Sequence, residues 1–272
     1  WETPTRMNRP SYLPFGGGWE VGAGDKSDFF DACVIATGYR RENESPVTVP
    51  DKGDIAILGS GLSAIDHWRL LRSRGYRGIV HFISRRGLFP LTHGAHLTPP
   101  LIELRGLSPR RILSELRMSG GEWPALADHV RQLAPGIWRD WTERERESFI
   151  RHLKPYWEVA RHRLPASVQT ELQAELYTGH AQLHRGRLES WDGSQVQLRT
   201  RNGEKKIPAA IVLQATGVRV NTSGLNIIGH RPNVFGYREC LAPNLFVAGP
   251  ASRAELWEIT AISEIRVQCS RI

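Results

Sequence analysis

Gly59-Ser60-Gly61-Leu62-Ser63-Ala64 is a G-x-G-x-x-A pattern, and its residue types suit the holding of a pyrophosphate against peptide N–H groups. Gly59 permits a tight turn, Gly61 lets the backbone approach an anion, and Ala64 allows a helix to pack closely on a strand. A helix beginning at this point would add the positive end of its dipole. Ser60, Leu62 and Ser63 complete the candidate set.

Such a motif works only between a strand and a helix. Asp54-Ile55-Ala56-Ile57-Leu58 reads as a short apolar strand, and Ile65 to Arg74 as a helix. Leu62, Ile65, Trp68 and Leu71 form its apolar stripe, Asp66, Arg69 and Arg72 are left for the other faces, and Gly75 supplies the C-cap. A second strand runs from Ile79 to Ile83. Its end selects the nucleotide. An NAD site places Asp or Glu there for the ribose 2′-hydroxyl. Here the strand ends Ser84-Arg85-Arg86 with no acid nearby. Two guanidiniums and a hydroxyl suit a 2′-phosphate, which favours NADP(H) over NAD(H) and counts against a methyltransferase. The bland alternative is a pair of surface arginines after a strand.

The 272 residues allow one large domain or two ordinary ones, at roughly 100–200 residues each. With 40% apolar residues the chain can bury a core. No run approaches the roughly 18 apolar residues of a membrane span, so no membrane association is expected. Cys33, Cys240 and Cys269 form no CxxC, which argues against a redox pair, a zinc ribbon or a disulfide scaffold. A reducing, cytoplasmic setting fits best. The net charge is +8, and 12 Lys and Arg against 8 Asp and Glu between Arg105 and Arg163 carry about half of it. That stretch is mixed in sign, as in Glu143-Arg144-Glu145-Arg146-Glu147, and reads as a solvated helix face; nucleic acid is disfavoured as a partner.

Four blocks follow. Residues 1–50 are Gly- and Pro-rich with strand signals at Trp19–Val21 and Ala32–Ala36; 51–94 alternate strand, helix and strand; 95–187 are mostly helical; 188–272 return to strands and end in a helix. Asp192-Gly193 and Asn202-Gly203 separate Leu188–Trp191, Val196–Thr200 and Lys205–Ile207, which predicts a three-stranded meander. One echo stands out: Cys33-Val34-Ile35-Ala36-Thr37-Gly38 and Val212-Leu213-Gln214-Ala215-Thr216-Gly217 both end an apolar strand pattern in Ala-Thr-Gly.

With Ser84-Arg85-Arg86-Gly87-Leu88, Pro90 and His93, the nucleotide unit resembles the bacterial FAD/NAD(P)-binding flavoprotein family. The resemblance continues at Arg151-His152-Leu153-Lys154-Pro155-Tyr156-Trp157 and Arg161-His162-Arg163. It closes with Gly249-Pro250, Arg253, Leu256-Trp257-Glu258-Ile259-Thr260-Ala261 and Glu264-Ile265-Arg266. The family is similar to the two-dinucleotide-binding-domain flavoproteins, including flavin monooxygenases, in which an NAD(P)H domain is inserted between segments of an FAD domain.

The resemblance implies an α/β fold: a Rossmann-like NAD(P)-binding domain with a helical insertion, plus partial FAD-binding segments. The expected divisions are 1–50 for FAD-domain segments, 51–220 for the NAD(P) domain with its insertion at about 95–187, and 221–272 for the return to the FAD domain. Thr37 and Gly38 would mark the exit from the FAD domain, and Thr216 and Gly217 the close of the NADP domain. Asn244–Gly249 would be the returning strand, with Gly249, Pro250 and Trp257, together with Glu258 and Thr260, near the flavin. Pro250 stands where many related flavoproteins carry an Asp for the ribityl chain.

The implied activity is NADP(H)-dependent flavoprotein oxidation–reduction, monooxygenase-like, with NADPH reducing FAD. The family's first GxGxxG, for the FAD pyrophosphate, lies upstream of the first Ala-Thr-Gly, and nothing in residues 1–30 reads as strand–GxGxxG–helix. The chain, which opens at Trp1, is therefore expected to be N-terminally truncated, to bind FAD as part of a longer protein rather than alone, and to expose apolar faces at 1–50 and 221–272. The alternative is a non-catalytic NADP-binding or protein-interaction module. No catalytic base is assigned, because hydride chemistry belongs to the cofactors; the sequence names neither the small-molecule substrate nor the oligomeric state. His93 and His96 are too thin a pair for a metal, so none is expected. Arg151-His152 and Arg161-His162-Arg163 fit either a phosphate-lined pocket or a basic helix face, and Trp138, Trp141 and Trp157 are expected to pack a helical core.

Overall fold

Before residue 51 breakers are frequent, and the described residues there form short strands: β1 (Ser11–Tyr12), β2 (Trp19–Ala23), β3 (Lys26–Phe30), β4 (Cys33–Ile35) and β5 (Tyr39–Arg40). The computed structural model describes residues 11–12, 18–23, 26–40, 47, 49–93, 103–118, 123–217, 219–220 and 240–272. The apolar run ahead of the glycine motif is β6 (Ile55–Leu58), followed by α1 (Leu62–Ser73) and β7 (Val80–Ser84). Among the described residues the helices α2 (Pro109–Met118), α3 (Trp123–Asp140), α4 (Glu143–His152), α5 (Lys154–Arg161) and α6 (Ala166–Thr178) follow. Next come β8 (Ala181–Arg185), β9 (Arg187–Trp191), β10 (Gln195–Thr200), β11 (Gly203–Pro208) and β12 (Ile211–Gln214). The chain ends with β13 (Arg219–Val220), β14 (Cys240–Ala242), β15 (Leu245–Val247), a 3-10 turn at Gly249–Ser252 and α7 (Ile262–Cys269).

These elements cluster as two units. One comprises Glu42–Val130 and Glu143–Gly217, the other Trp1–Arg41, Arg131–Thr142 and Val218–Ile272. The helical stretch is therefore divided, with residues 131–142 grouped with the terminal segments.

In the first unit β12, β6, β7 and β8 form one sheet in that spatial order, with every pairing parallel. Numbered by appearance within the sheet, the order is 4-1-2-3, so the crossing from β8 to β12 returns the chain to the far side of β6, the reversal typical of doubly wound sheets. The strand period sends alternate residues to opposite faces. Ile55, Ile57, Val80 and Phe82 pack with Ala64, Ile65, Trp68 and Leu71 of α1 and Val168 and Leu172 of α6. On the other face Ala56 and Ile83 meet Val196, Leu198 and Ile207. Those last three belong to the antiparallel meander β9-β10-β11, which forms where the two Gly turns predict it. Burying each such side chain contributes roughly 1.5–3 kcal/mol. Arg72, off the apolar stripe of α1, is tied into the unit by hydrogen bonds. Its Nε and Nη2 donate to the Glu175 carboxylate at 2.7 Å each, and Nη1 donates to the Tyr76 and Gly78 carbonyls at 3.1 and 3.0 Å. Trp68 Nε1 donates to the same carboxylate at 2.8 Å, so this cation pins α1 to α6.

In the second unit β1-β2-β3 form an antiparallel sheet, β13 pairs with β5, and β14-β15-β4 form a sheet in which β15 and β4 run parallel. Trp138 is fully buried, donates from Nε1 to the Ala254 carbonyl at 3.1 Å, and stacks on Trp257 with ring centroids 5.7 Å apart. Trp141 is buried beside Trp138, as expected of a helical core, whereas Trp157, in the first unit, is half-buried. Phe29, Phe30 and Val34 are exposed on the N-terminal strands.

Candidate nucleotide-binding site

Gly59 leaves β6 with φ +125°, a backbone conformation that favours glycine. A Cβ there would lie 2.2 Å from the Ala215 carbonyl oxygen, so any side chain would collide with the backbone following β12. Two bonds lock this junction: Gly59 N–H donates to the Ile83 carbonyl and Ala215 N–H to the Leu58 carbonyl, both at 2.8 Å. Gly61 differs. Its φ is −81°, open to any residue, and an added Cβ would meet nothing within 4 Å. Gly61 is the N-cap of α1 with no side-chain capping bond, and the first turn carries no acid. The first N–H groups of α1 therefore have no side-chain acceptor, and the positive end of the helix dipole lies behind them. Ala64 is fully buried against the sheet, as the motif requires, while Gly61 and Ser63 are exposed. Ser60 is buried, and its hydroxyl donates to the Leu88 carbonyl at 2.5 Å, which ties the turn to the segment after β7.

That segment begins at Ser84, whose Oγ accepts the Gly87 N–H at 3.0 Å and closes a turn carrying Arg85 and Arg86. Arg85 is exposed and makes no hydrogen bond or ion pair with the described residues. Arg86 Nη2 donates to the Arg151 carbonyl at 3.2 Å. Thus Gly59–Ala64, Ser84–Arg86 and Thr216 and Gly217 all lie at the carboxyl ends of parallel strands in one unit. Between β6 and β12 the strand order reverses, and in open α/β sheets ligands bind at that switch point. The empty space at Gly61, a helix start without a side-chain cap and an Arg85 guanidinium with no partner among the described residues are features that could receive the phosphates of a dinucleotide.

Thr37, Gly38, Gly249, Pro250 and Trp257 belong to the other unit. Here β15 pairs in parallel with β4, and Ala248 N–H donates to the Ile35 carbonyl at 2.9 Å. Both Ala-Thr-Gly strands therefore lie parallel to a strand that ends in a glycine turn. This second turn is closed, however. Gly249 through Ser252 are buried. Gln268 Oε1 accepts the Gly249 N–H at 2.7 Å, and its Nε2 donates to the Val247 carbonyl at 3.0 Å and to Ser252 Oγ at 2.9 Å. Pro250 has no N–H, and Trp257 is packed on Trp138. The Gly249 N–H is thus already committed within the protein.

The basic residues between β7 and β8 are largely engaged with neighbours. Arg163 pairs with Asp128 at 3.0 Å, and Lys154 and His162 both reach Glu158, at 2.6 and 3.1 Å. Burial pushes the Glu158 carboxyl up, but the hydrogen bonds from His162 and Lys154 outweigh it and hold the group down to about 2. Of Arg163, Lys154 and His162, only Lys154 lies on a helix, His162 and Arg163 following the end of α5, and Arg151 and His152 at the end of α4 are exposed. His93 is exposed, its N–H donating to the Leu164 carbonyl at 2.9 Å; His96 lies outside the described residues. Among the described residues no group of three potential ligands could hold a metal ion, and no helix is long and apolar enough to cross a membrane.

No sequence spacing signals the polar chain that runs through the buried His81 and His184 to the meander. Lys205 Nζ lies 3.3 Å from His184 Nδ1, His184 Nε2 lies 3.1 Å from His81 Nδ1, and His81 Nε2 lies 3.2 Å from Asp54 Oδ2. An ammonium only donates and a carboxylate only accepts, so both imidazoles are neutral with their protons on Nε2. Burial lowers both, His184 to about 4 with help from Lys205 and His81, and His81 against the opposing pull of Asp54.

The first unit is a Rossmann-like α/β unit, a parallel sheet with a glycine turn at its switch point, and the second contains the parallel β4/β15 pair. No protein-family model matches the sequence, and a search of curated proteins gives no match. Among solved structures the chain is similar to the ornithine N-hydroxylase KtzI of Kutzneria sp. 744, solved with reduced FAD, NADP+ and L-ornithine. The identity is 12% and the TM-score 0.58, over 98% of this chain and 70% of that one. L-lysine 6-monooxygenase from Pseudomonas syringae is similar at 14% identity and TM-score 0.56, again over 98% and 70%. The cadaverine monooxygenase DfoA of Erwinia amylovora, bound to FAD, gives 17% and 0.54 over 94% of this chain and 68% of that one. At these identities the likeness is one of fold.

Proposed function

We propose that this chain carries the pyridine-nucleotide half of a flavin-dependent oxidoreductase, selective for NADP(H) and monooxygenase-like in type. The observation that supports it most is the open Gly59–Gly61 turn at the switch point of the parallel sheet. The pyrophosphate would lie against the Leu62 and Ser63 N–H groups, which precede the first bonds of α1, from Ala64 and Ile65 to the Gly61 carbonyl. Arg85 would meet the 2′-phosphate where an NAD site carries an acid. Bound NADPH supplies a hydride; this chain's residues hold and orient its carrier. The flavin half of the reading rests on fold alone, since the Gly249 N–H is taken by Gln268 and Gly249 and Pro250 are buried.

The closed Gly249 turn favours a second reading, a non-catalytic NADP-binding or protein-interaction module. Titration with NADPH, NADH and FAD, followed by an assay of NADPH oxidation with FAD supplied, separates the two. NADPH binding with FAD-dependent oxidation supports the oxidoreductase. NADPH binding without FAD binding supports the module, and failure to bind either pyridine nucleotide overturns both.

A further inference from the structure

We propose that Arg185 is the second guanidinium of the 2′-phosphate clamp, the partner of Arg85; this rests on the NADP(H) reading above. Arg185 ends β8 directly opposite Ser84 in the parallel register. Residues so paired share a sheet face. Val80, Phe82 and Ala181, which alternate with them on β7 and β8, pack with α1 and α6, so Ser84 and Arg185 lie on the face that α1 covers. The two strand ends are tied together, because Gly186 N–H donates to the Ser84 carbonyl at 3.0 Å.

Gly87 fixes the course of the arginine stem. A Cβ on Gly87 would lie 3.1, 3.5 and 3.7 Å from Cβ, Cγ and Cδ of Arg185, so the stem runs along the glycine that closes the Ser84 turn. The guanidinium thus starts from the turn that carries Arg85 and Arg86. Arg185 is exposed and, like Arg85, makes no hydrogen bond or ion pair with the described residues. Arg86 has one nitrogen committed to the Arg151 carbonyl. Arg85 thus sits on this small turn and the Arg185 stem runs beside it, and neither has a hydrogen bond or ion pair with the described residues. A phosphate dianion accepts paired hydrogen bonds from each, which a lone lysine-like point charge would not reproduce.

The test compares 2′,5′-ADP with 5′-AMP as probes on the full 272-residue chain, in wild type, Arg185→Ala and Arg185→Lys, with thermal melting as the fold control. Wild type should prefer 2′,5′-ADP, and the preference should weaken at high salt. Arg185→Ala should cut that preference about tenfold or more, the scale of a charged hydrogen-bond pair, while leaving 5′-AMP binding within about twofold. Arg185→Lys should fall between. A preference unchanged in Arg185→Ala overturns the clamp and leaves the NADP(H) reading standing. Equal weakening of both probes assigns Arg185 a structural role and also overturns the clamp. No preference in wild type overturns both.

Discussion

The molecule holds two glycine turns at equivalent places, each following a strand that runs parallel to one ending in Ala-Thr-Gly. The Gly59 turn after β6 is tied to the protein on its inner side, through Ala215 and Ile83, and open at Gly61. The Gly249 turn after β15 is filled: one side chain, Gln268, engages its N–H, the Val247 carbonyl and the Ser252 hydroxyl. The same backbone device is open for a ligand in one unit and satisfied internally in the other. An unfilled turn can exchange water for phosphate; a filled one would first have to lose three buried hydrogen bonds.

The strongest challenge to that contrast is Gly59→Ala. If the turn is fixed by the Ala215 carbonyl, the clash and the φ of +125° should cost on the order of 3–4 kcal/mol in chemical denaturation. A change below about 1 kcal/mol would mean that the junction yields. Gln268→Ala probes the other turn and should destabilise by about 2–3 kcal/mol, since it strands the Gly249 N–H and the Val247 carbonyl. It should not alter NADPH affinity.

A third measurement asks whether the open-turn unit carries its own acid sensitivity. His184 titrates near 4 when folded and near 6.5 when unfolded, so both states are neutral above about pH 7. As pH falls below 6.5 the unfolded chain takes up a proton that the folded one refuses, and stability declines towards pH 4. His184 alone should remove about 2 kcal/mol by pH 5, and His184→Gln should flatten that part of the urea-midpoint profile relative to wild type. The smallest structural effect is expected at Gly61→Ala. Stability should move by less than about 1 kcal/mol, because the Cβ enters empty space at an N-cap. NADPH affinity should nonetheless fall about tenfold, because the added methyl occupies the approach to the pyrophosphate.

How much of this the residues announce depends on range. The stripe Ile65, Trp68, Leu71 predicts α1, and Asp192-Gly193 with Asn202-Gly203 predicts β9–β11, because periodicity and turn chemistry are local. The Gly59 turn is legible for the same reason. The Ala-Thr-Gly echo points to a shared design, although its meaning, parallel pairing beside a glycine turn, emerges only from strand register. Arg185, the Gln268 bolt and the His81–His184 chain leave no readable signal. Each depends on contacts between residues distant in sequence, and a lone Arg, Gln or His has no pattern to extend. Arg72 is similar: its place on α1 puts it off the apolar stripe, and only α6, far along the chain, supplies the carboxylate that pins it.

The Ala215 carbonyl beneath Gly59 has one more consequence, for the order in which the unit assembles. The strand leading to Ala215 is the last of its sheet to be synthesised, and it arrives only after helices α1 to α6 and the meander. A chain that has formed β6, α1 and β7 already owns every atom of the G-x-G-x-x-A motif, yet lacks the wall that sets the turn. Nucleotide affinity should therefore appear late in refolding, after α1 becomes helical, and should vanish early in unfolding if β12 peels away first. The motif is short in sequence, but its competence reports on the closure of the whole unit.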